Sequence, residues 1–184
     1  MKTVYADIAP ATGLHNGGIC SVYVIPREWL DADPVIDFET GRVLTALPLK
    51  PGRFWIRLDL VEETYKFNET PESSKSGPYT KTALAGNLNY YNYMLRQQLE
   101  TLRRSQPVVM LTDLNQRRRL AGDTETGMIF SYAYDLNNNP GEEKVSVNMM
   151  METEDPAPYY NPDNAPEIIY NFLENLDGNF LLVE

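Results

Sequence analysis

The sequence predicts a mainly β, antiparallel fold with one packed α-helix at about 88–104 and a C-terminal helical arm, on three observations. Apolar residues alternate with a period of two at 54–67, 128–135 and 143–152, the pattern of half-buried strands. Turn chemistry separates such runs, as in Lys50-Pro51-Gly52, Asp113-Leu114-Asn115-Gln116 and Asn137-Asn138-Asn139-Pro140-Gly141. A helical period of apolar residues occurs once in the body and once more near the C-terminus.

In chain order, residues 8–18 are rich in Gly, Pro and Ala and read as a loop. Ile19 to Ile25 reads as a strand, 26–30 as one helical turn or the strand's continuation, and 31–37 as a turn. Residues 43–49 alternate weakly. The clearest strand is 54–67, with Phe54, Ile56, Leu58 and Leu60 on one face and Trp55, Arg57 and Asp59 on the other. The polar run 68–78 reads as a mobile loop, and 79–84 as extended chain. Leu88, Tyr91, Leu95, Leu99 and Leu102 form a helical stripe, with Arg96, Gln97, Glu100, Arg103 and Arg104 opposite. Basic residues in its last turn suit the helix dipole, and Pro107 blocks continuation.

The apolar run 107–112 turns at Asp113 and returns over 117–122 as a hairpin. Met128, Phe130, Tyr132 and Tyr134 share one face, as do Val145, Val147, Met149 and Met151, so these two strands form a second antiparallel hairpin. Four prolines within 155–166 imply an extended segment. Asn164 then caps a helix with Pro166 in its first turn, and Ile168, Ile169, Phe172, Leu173 and Leu176 form its apolar stripe up to Gly178. Phe180-Leu181-Leu182-Val183 closes the chain as an apolar tetrad. The organisation is a β-rich assembly domain, 1–160, and an arm, 161–184, docked on its own domain or on a neighbouring subunit.

The chain has 184 residues, enough for one domain of ordinary size or one domain plus an arm. With 42% hydrophobic and 23% charged residues it is not a disordered protein. The net charge of −10 argues against gripping nucleic acid or a membrane surface. The charge is uneven. Residues 1–122 hold 15 Lys/Arg against 13 Asp/Glu, whereas 123–184 hold only Lys144 against 13 Asp/Glu. A near-neutral body is followed by an acidic third.

One cysteine, Cys20, excludes a disulfide within the chain, and with His15 as the one histidine a structural zinc site is not expected. His15 and Cys20 lack an orienting third group, so they read as a loop histidine and a buried thiol. No apolar run has the length of a signal peptide or a membrane-spanning helix, so assembly inside a cell, without a membrane, is expected. The sequon Asn68-Glu69-Thr70 then carries no weight. Phosphate-binding glycine loops are absent. Asp135-Leu136-Asn137-Asn138-Asn139 has the first ligands of a calcium loop, but Pro140 and Ser146 stand where Gly and Glu belong. No cofactor, metal or catalytic residue is therefore assigned. Asp113, after an apolar strand, is the one candidate for acid chemistry, although Asp-x-Asn is also what a tight turn needs.

Arg117-Arg118-Arg119, with Arg96, Arg103 and Arg104, forms the one basic region. Alternate arginines of a strand point to opposite faces, and no aromatics interleave for base stacking. The expected role is to meet an acidic surface such as 123–184 of another copy, a head-to-tail contact that builds rings or filaments. Twelve tyrosines, including Tyr90, Tyr91, Tyr93 and Tyr159-Tyr160, suit protein interfaces or sheet packing.

Several stretches together resemble small structural proteins of tailed bacteriophages, in particular those of tail-tube or neck-connector type. They are Gly18-Ile19-Cys20-Ser21-Val22-Tyr23-Val24-Ile25-Pro26, Phe54-Trp55-Ile56-Arg57-Leu58-Asp59-Leu60 and Ser76-Gly77-Pro78-Tyr79-Thr80. They continue in Pro107-Val108-Val109-Met110-Leu111-Thr112-Asp113-Leu114-Asn115, Arg119-Leu120-Ala121-Gly122, Gly127-Met128-Ile129-Phe130-Ser131-Tyr132 and Glu154-Asp155-Pro156-Ala157-Pro158-Tyr159-Tyr160. The resemblance spans roughly 17–160; Gln116, where such a turn more comfortably carries Gly, and the arm 161–184 depart from it.

The resemblance implies an antiparallel β-sandwich or half-barrel with one flanking helix. It also implies non-enzymatic self-association into rings, often six-fold, that stack through the 66–81 loop and contact other virion proteins. The location would be the virion, assembled in the host cytoplasm. An acidic channel lining would let DNA through as a non-adhering passenger, since like charges repel. Expected subunit-interface residues are Asn68, Glu69, Lys75 and Tyr79 of the loop and Arg117 and Arg119 of the basic strand. Tyr159, Tyr160 and, from the arm, Ile168, Ile169, Phe172 and Phe180 complete the set. The alternatives are a small hydrolase using Asp113 and a soluble binding module with Tyr-rich loops.

Overall fold

The computed structural model describes residues 18–37, 42–43, 47–61, 64–88, 93–135, 144–160 and 169–171. Residues 8–17 of the expected 8–18 loop, Tyr90, Tyr91, the 137–141 turn, Asn164, Pro166, Ile168 and everything from Phe172 onward, Phe180 included, lie outside the described residues.

The fold is mainly β with one helix. In chain order the elements are β1 (Ile19–Ile25), a 3-10 turn (Arg27–Trp29), β2 (Ile36–Asp37), β3 (Arg42–Val43), β4 (Trp55–Arg57), β5 (Lys66–Ser74) and β6 (Gly77–Leu88). Helix α1 (Tyr93–Ser105) follows, then β7 (Val108–Asp113), β8 (Arg118–Ala121), β9 (Ile129–Asp135), β10 (Lys144–Thr153), β11 (Tyr159–Tyr160) and β12 (Ile169–Asn171). They make two sheets. One has four strands in the order β5-β6-β10-β9; the other has eight in the order β12-β4-β1-β7-β8-β11-β3-β2. All pairings are antiparallel except β11 with β3 and β12 with β4, which are parallel.

Alternation builds the four-stranded sheet. Thr82, Leu84 and Leu88 of β6, Val145, Val147, Met149 and Met151 of β10, and Phe130 of β9 point inward and are buried. They pack on Val22, Val24, Val109 and Ala121 of the other sheet and on Leu95, Leu99 and Leu102 of α1, giving one shared core. The eight-stranded sheet is also covered on its far side. Ile25, Val108, Met110 and Leu120 form a second core with Leu30, Leu47, Trp55 and Tyr160. Burial on both faces is why 107–112 reads as a continuous apolar run and not as an alternating one.

Four expectations change. The run 68–78 is not a loop: it is most of the β5–β6 hairpin, paired from Lys66–Ala85 to Ser74–Gly77. Its outer half is exposed on both faces, so no apolar alternation marks it; β5 is an edge strand, where Pro71 is tolerated. The strand expected at 54–67 is not one ladder: its last residues, Lys66 and Phe67, belong to β5, and the rest holds a ladder only over Trp55–Arg57. Beyond it the chain crosses between sheets: Leu58 N–H still donates to Val22 O, and Val61 N–H already donates to Asn87 O of β6. Leu58 and Leu60 keep alternating because both enter the shared core.

The helix is described over Tyr93–Ser105 and does not reach back to 88, because Leu88 belongs to β6 and pairs with Val145. Leu88 fits both periods, and the nine-pair β6–β10 ladder claims it. The helix ends at Ser105, where Gln106 takes a left-handed φ of 48° before Pro107. Finally, Ile169–Asn171, expected within the arm's helix, is a strand beside β4, because β4 offers an open edge whose backbone groups need partners. Among the described residues no helix is long and apolar enough to cross a membrane.

Candidate functional site

Polar side chains from three strands converge where the base of the β5–β6 hairpin meets β8 and β11. Phe67 and Glu69 lie on one side of β5, and strand alternation sends Arg119 between the sheets while Arg118 faces away. Arg119 Nη1 donates to Glu69 Oε2, and its Nη2 donates to Tyr159 Oη at 3.1 Å. The guanidinium lies 4.6 Å from the centre of the Tyr159 ring and 5.9 Å from that of Phe67. Glu69 Oε1 accepts the Ala157 N–H at 2.8 Å. The cluster thus ties the hairpin to β8 and to the chain entering β11. With both side chains mostly covered, 27% and 17% exposed, removing one partner leaves a poorly solvated charge.

Two cavities flank this cluster, both bordered by Glu69 and Arg119. One, about 550 Å3, lies towards Tyr65, Asp113 and Arg117. The other, about 720 Å3, lies towards Thr82, Met151 and the 154–158 segment. Both are large enough for a small molecule or a buried side chain.

Asp113 serves the β7–β8 turn. Its Oδ1 accepts the N–H groups of Asn115 and Arg117 at 2.8 and 2.9 Å, and its Oδ2 accepts Arg117 Nε at 2.8 Å. Partial burial works to raise the carboxyl, but the bonds from Arg117 and Asn115 outweigh it and hold the group below its ordinary range. Gln116 completes the turn with a φ of 62°, the left-handed region where Gly is more comfortable. Cys20, half-buried, donates its thiol to Asp113 O at 3.5 Å.

The expected interface residues separate into groups. Asn68 and Lys75 are exposed, Lys75 in the two-residue tip of the hairpin. Tyr79 donates to Glu72 across the hairpin, and that bond raises the phenol's pKa. Glu69, Arg119 and Tyr159 are brought together within one copy, and Arg117 is paired with Asp113, so the arginines meet acids of their own chain's body. Tyr160 is a correction: it is 3% exposed in the second core, where its Oη accepts Leu47 N–H at 3.1 Å and burial raises its pKa. Its apolar ring completes that core, so it faces no partner. Ile169 lies in β12, and Ile168, Phe172 and Phe180 fall outside the described residues.

Tyr93, one of the tyrosines that suit an interface or sheet packing, is 71% exposed; sequence reasoning missed the buried Thr82 and Ile129, which is 61% exposed. The alternation through 128–134 already places Ile129 on the outer face. No family model, curated protein or solved structure matches the chain.

Proposed function

We propose that this chain is a non-enzymatic virion structural protein of tailed bacteriophages, of tail-tube or neck-connector type, that self-associates into rings. The β5–β6 hairpin carries the reading. β6 pairs with β10 only from Thr80 to Leu88, whereas the β5–β6 ladder runs on to Ser74–Gly77. The hairpin's end therefore stands beyond the sheet, with every residue from 70 to 76 exposed. Its outer strand has no neighbour among the described residues, and an open edge is a template for pairing with another chain.

Two further observations support self-association. β9 is the other edge of the same sheet, without a further strand among the described residues, and Ile129 is exposed there. Exposed Glu125, Glu152, Glu154 and Asp155 give the later part of the chain an acidic surface, which would meet basic residues of a neighbour or line a lumen that DNA crosses without adhering. The hydrolase reading loses ground because both carboxylate oxygens of Asp113 are held by the turn.

Multi-angle light scattering at rising concentration tests the proposal. The parent chain forms a closed oligomer of one size. A variant in which 73–78 is replaced by Asn-Gly, which keeps Glu72 opposite Tyr79, stays monomeric with an unchanged fold. A parent that remains monomeric throughout overturns it.

A further inference from the structure

The larger cavity has a chemistry of its own. Leu120, Met151 and Ala157 supply an apolar wall. Thr82 sits in that wall, 1% exposed, and its Oγ1 has no hydrogen-bond partner. A buried hydroxyl left unpaired is costly, and a polar group brought within its reach would satisfy it. The space of about 720 Å3 admits a large side chain. Glu154 and Asp155 stand exposed at its border, and its one cation among the described residues, Arg119, is committed to Glu69.

Helix α1 presents the complementary set. Tyr93, at its first turn, is the most exposed large apolar side chain among the described residues. Arg96 and Arg104 are exposed on the same helix, while Arg103 is held by Glu100. No residue of α1 borders the cavity, so helix and cavity are separate surfaces of one subunit.

We infer that this cavity receives helix α1 of a second copy, with Tyr93 entering the apolar space to reach Thr82 Oγ1 and with Arg96 and Arg104 facing Glu154 and Asp155. The inference rests on the self-association proposed above and names two of its surfaces. A tyrosine matches the site because its ring suits the apolar wall and its hydroxyl suits Thr82. The charge pairs fix orientation more than affinity. Two different surfaces in contact make a head-to-tail interface, which closes into a ring or grows into a filament.

Sedimentation equilibrium on the full chain decides the matter, with thermal unfolding as the check on folding. Tyr93→Ala weakens association about 30-fold. Arg96→Glu with Arg104→Glu, and separately Glu154→Lys with Asp155→Lys, each weaken it about 10-fold. All four charge changes together restore it to within about 3-fold of the parent. Thr82→Val, which removes the hydroxyl at nearly constant volume, keeps or raises thermal stability and weakens association severalfold. A parent that associates while Tyr93→Ala and both charge pairs associate equally well overturns the inference and leaves self-association standing. So does a combined variant no tighter than either pair alone. A parent that never associates removes both.

Discussion

The two sheets of this protein are built in opposite ways. The four-stranded sheet consists of long strands, 7 to 12 residues each, joined mostly by hairpins and held by one alternating apolar face. The eight-stranded sheet consists of strands of 2 to 7 residues drawn from distant parts of the chain. Its short strands cannot hold register by side-chain packing alone, so polar contacts fix them: Tyr160 with Leu47, Arg119 with Tyr159, and the Asp113 turn. The first sheet is stabilised mainly by burial, and the second by burial plus a few hydrogen bonds at defined points.

Breaking that comparison starts with the largest effect. Phe130 is 2% exposed in the shared core, and Phe130→Ala removes a ring from the face that orders the four-stranded sheet. A loss of about 3–5 kcal/mol is expected from chemical denaturation. Tyr160→Phe tests the other mechanism, since it keeps the ring and removes only the acceptor for Leu47 N–H. The expected loss is about 1–3 kcal/mol, read from the same denaturation. Equal losses from the two variants would erase the distinction between the sheets.

The smallest effect sharpens the comparison at one turn. The Asp113 carboxyl titrates below its ordinary value of 3.8 in the folded chain. Its contribution is therefore complete above about pH 4 and is lost as pH falls through the lowered value. Asp113→Asn lacks that dependence. Thermal unfolding measured from pH 6 to pH 3 then falls more steeply for the parent than for the variant, by a fraction of the ~1 kcal/mol that one hydrogen bond contributes.

The same contrast decides what could be read from the sequence. The β9–β10 hairpin was legible because Met128, Phe130, Tyr132 and Tyr134 and their partners alternate against a single core. The β7–β8 hairpin was legible from its turn residues. The β5–β6 hairpin was not, because residues 70–76 touch no core and are ordered by backbone pairing and a few polar contacts of Glu72 and Ser74, which leave no apolar pattern. The parallel pairing of β11 with β3 joins Tyr159 and Arg42, too far apart in sequence for any local pattern to reveal. For the candidate site, Glu69, Arg119 and Tyr159 were each singled out as interface residues. Their meeting within one copy depends on the register of β8 with β11 and on the packing of β5, which no local spacing encodes. Thr82 and the cavity beside it come from the space between two sheets, and sequence periodicity carries no record of that space.

Self-association remains the central claim, and sedimentation velocity on the unmodified chain across a wide concentration range tests it most directly. The account predicts a concentration-driven passage from monomer to a closed ring of one size, diminished by salt as the charge pairs are screened. A single monomeric species at every concentration would contradict it.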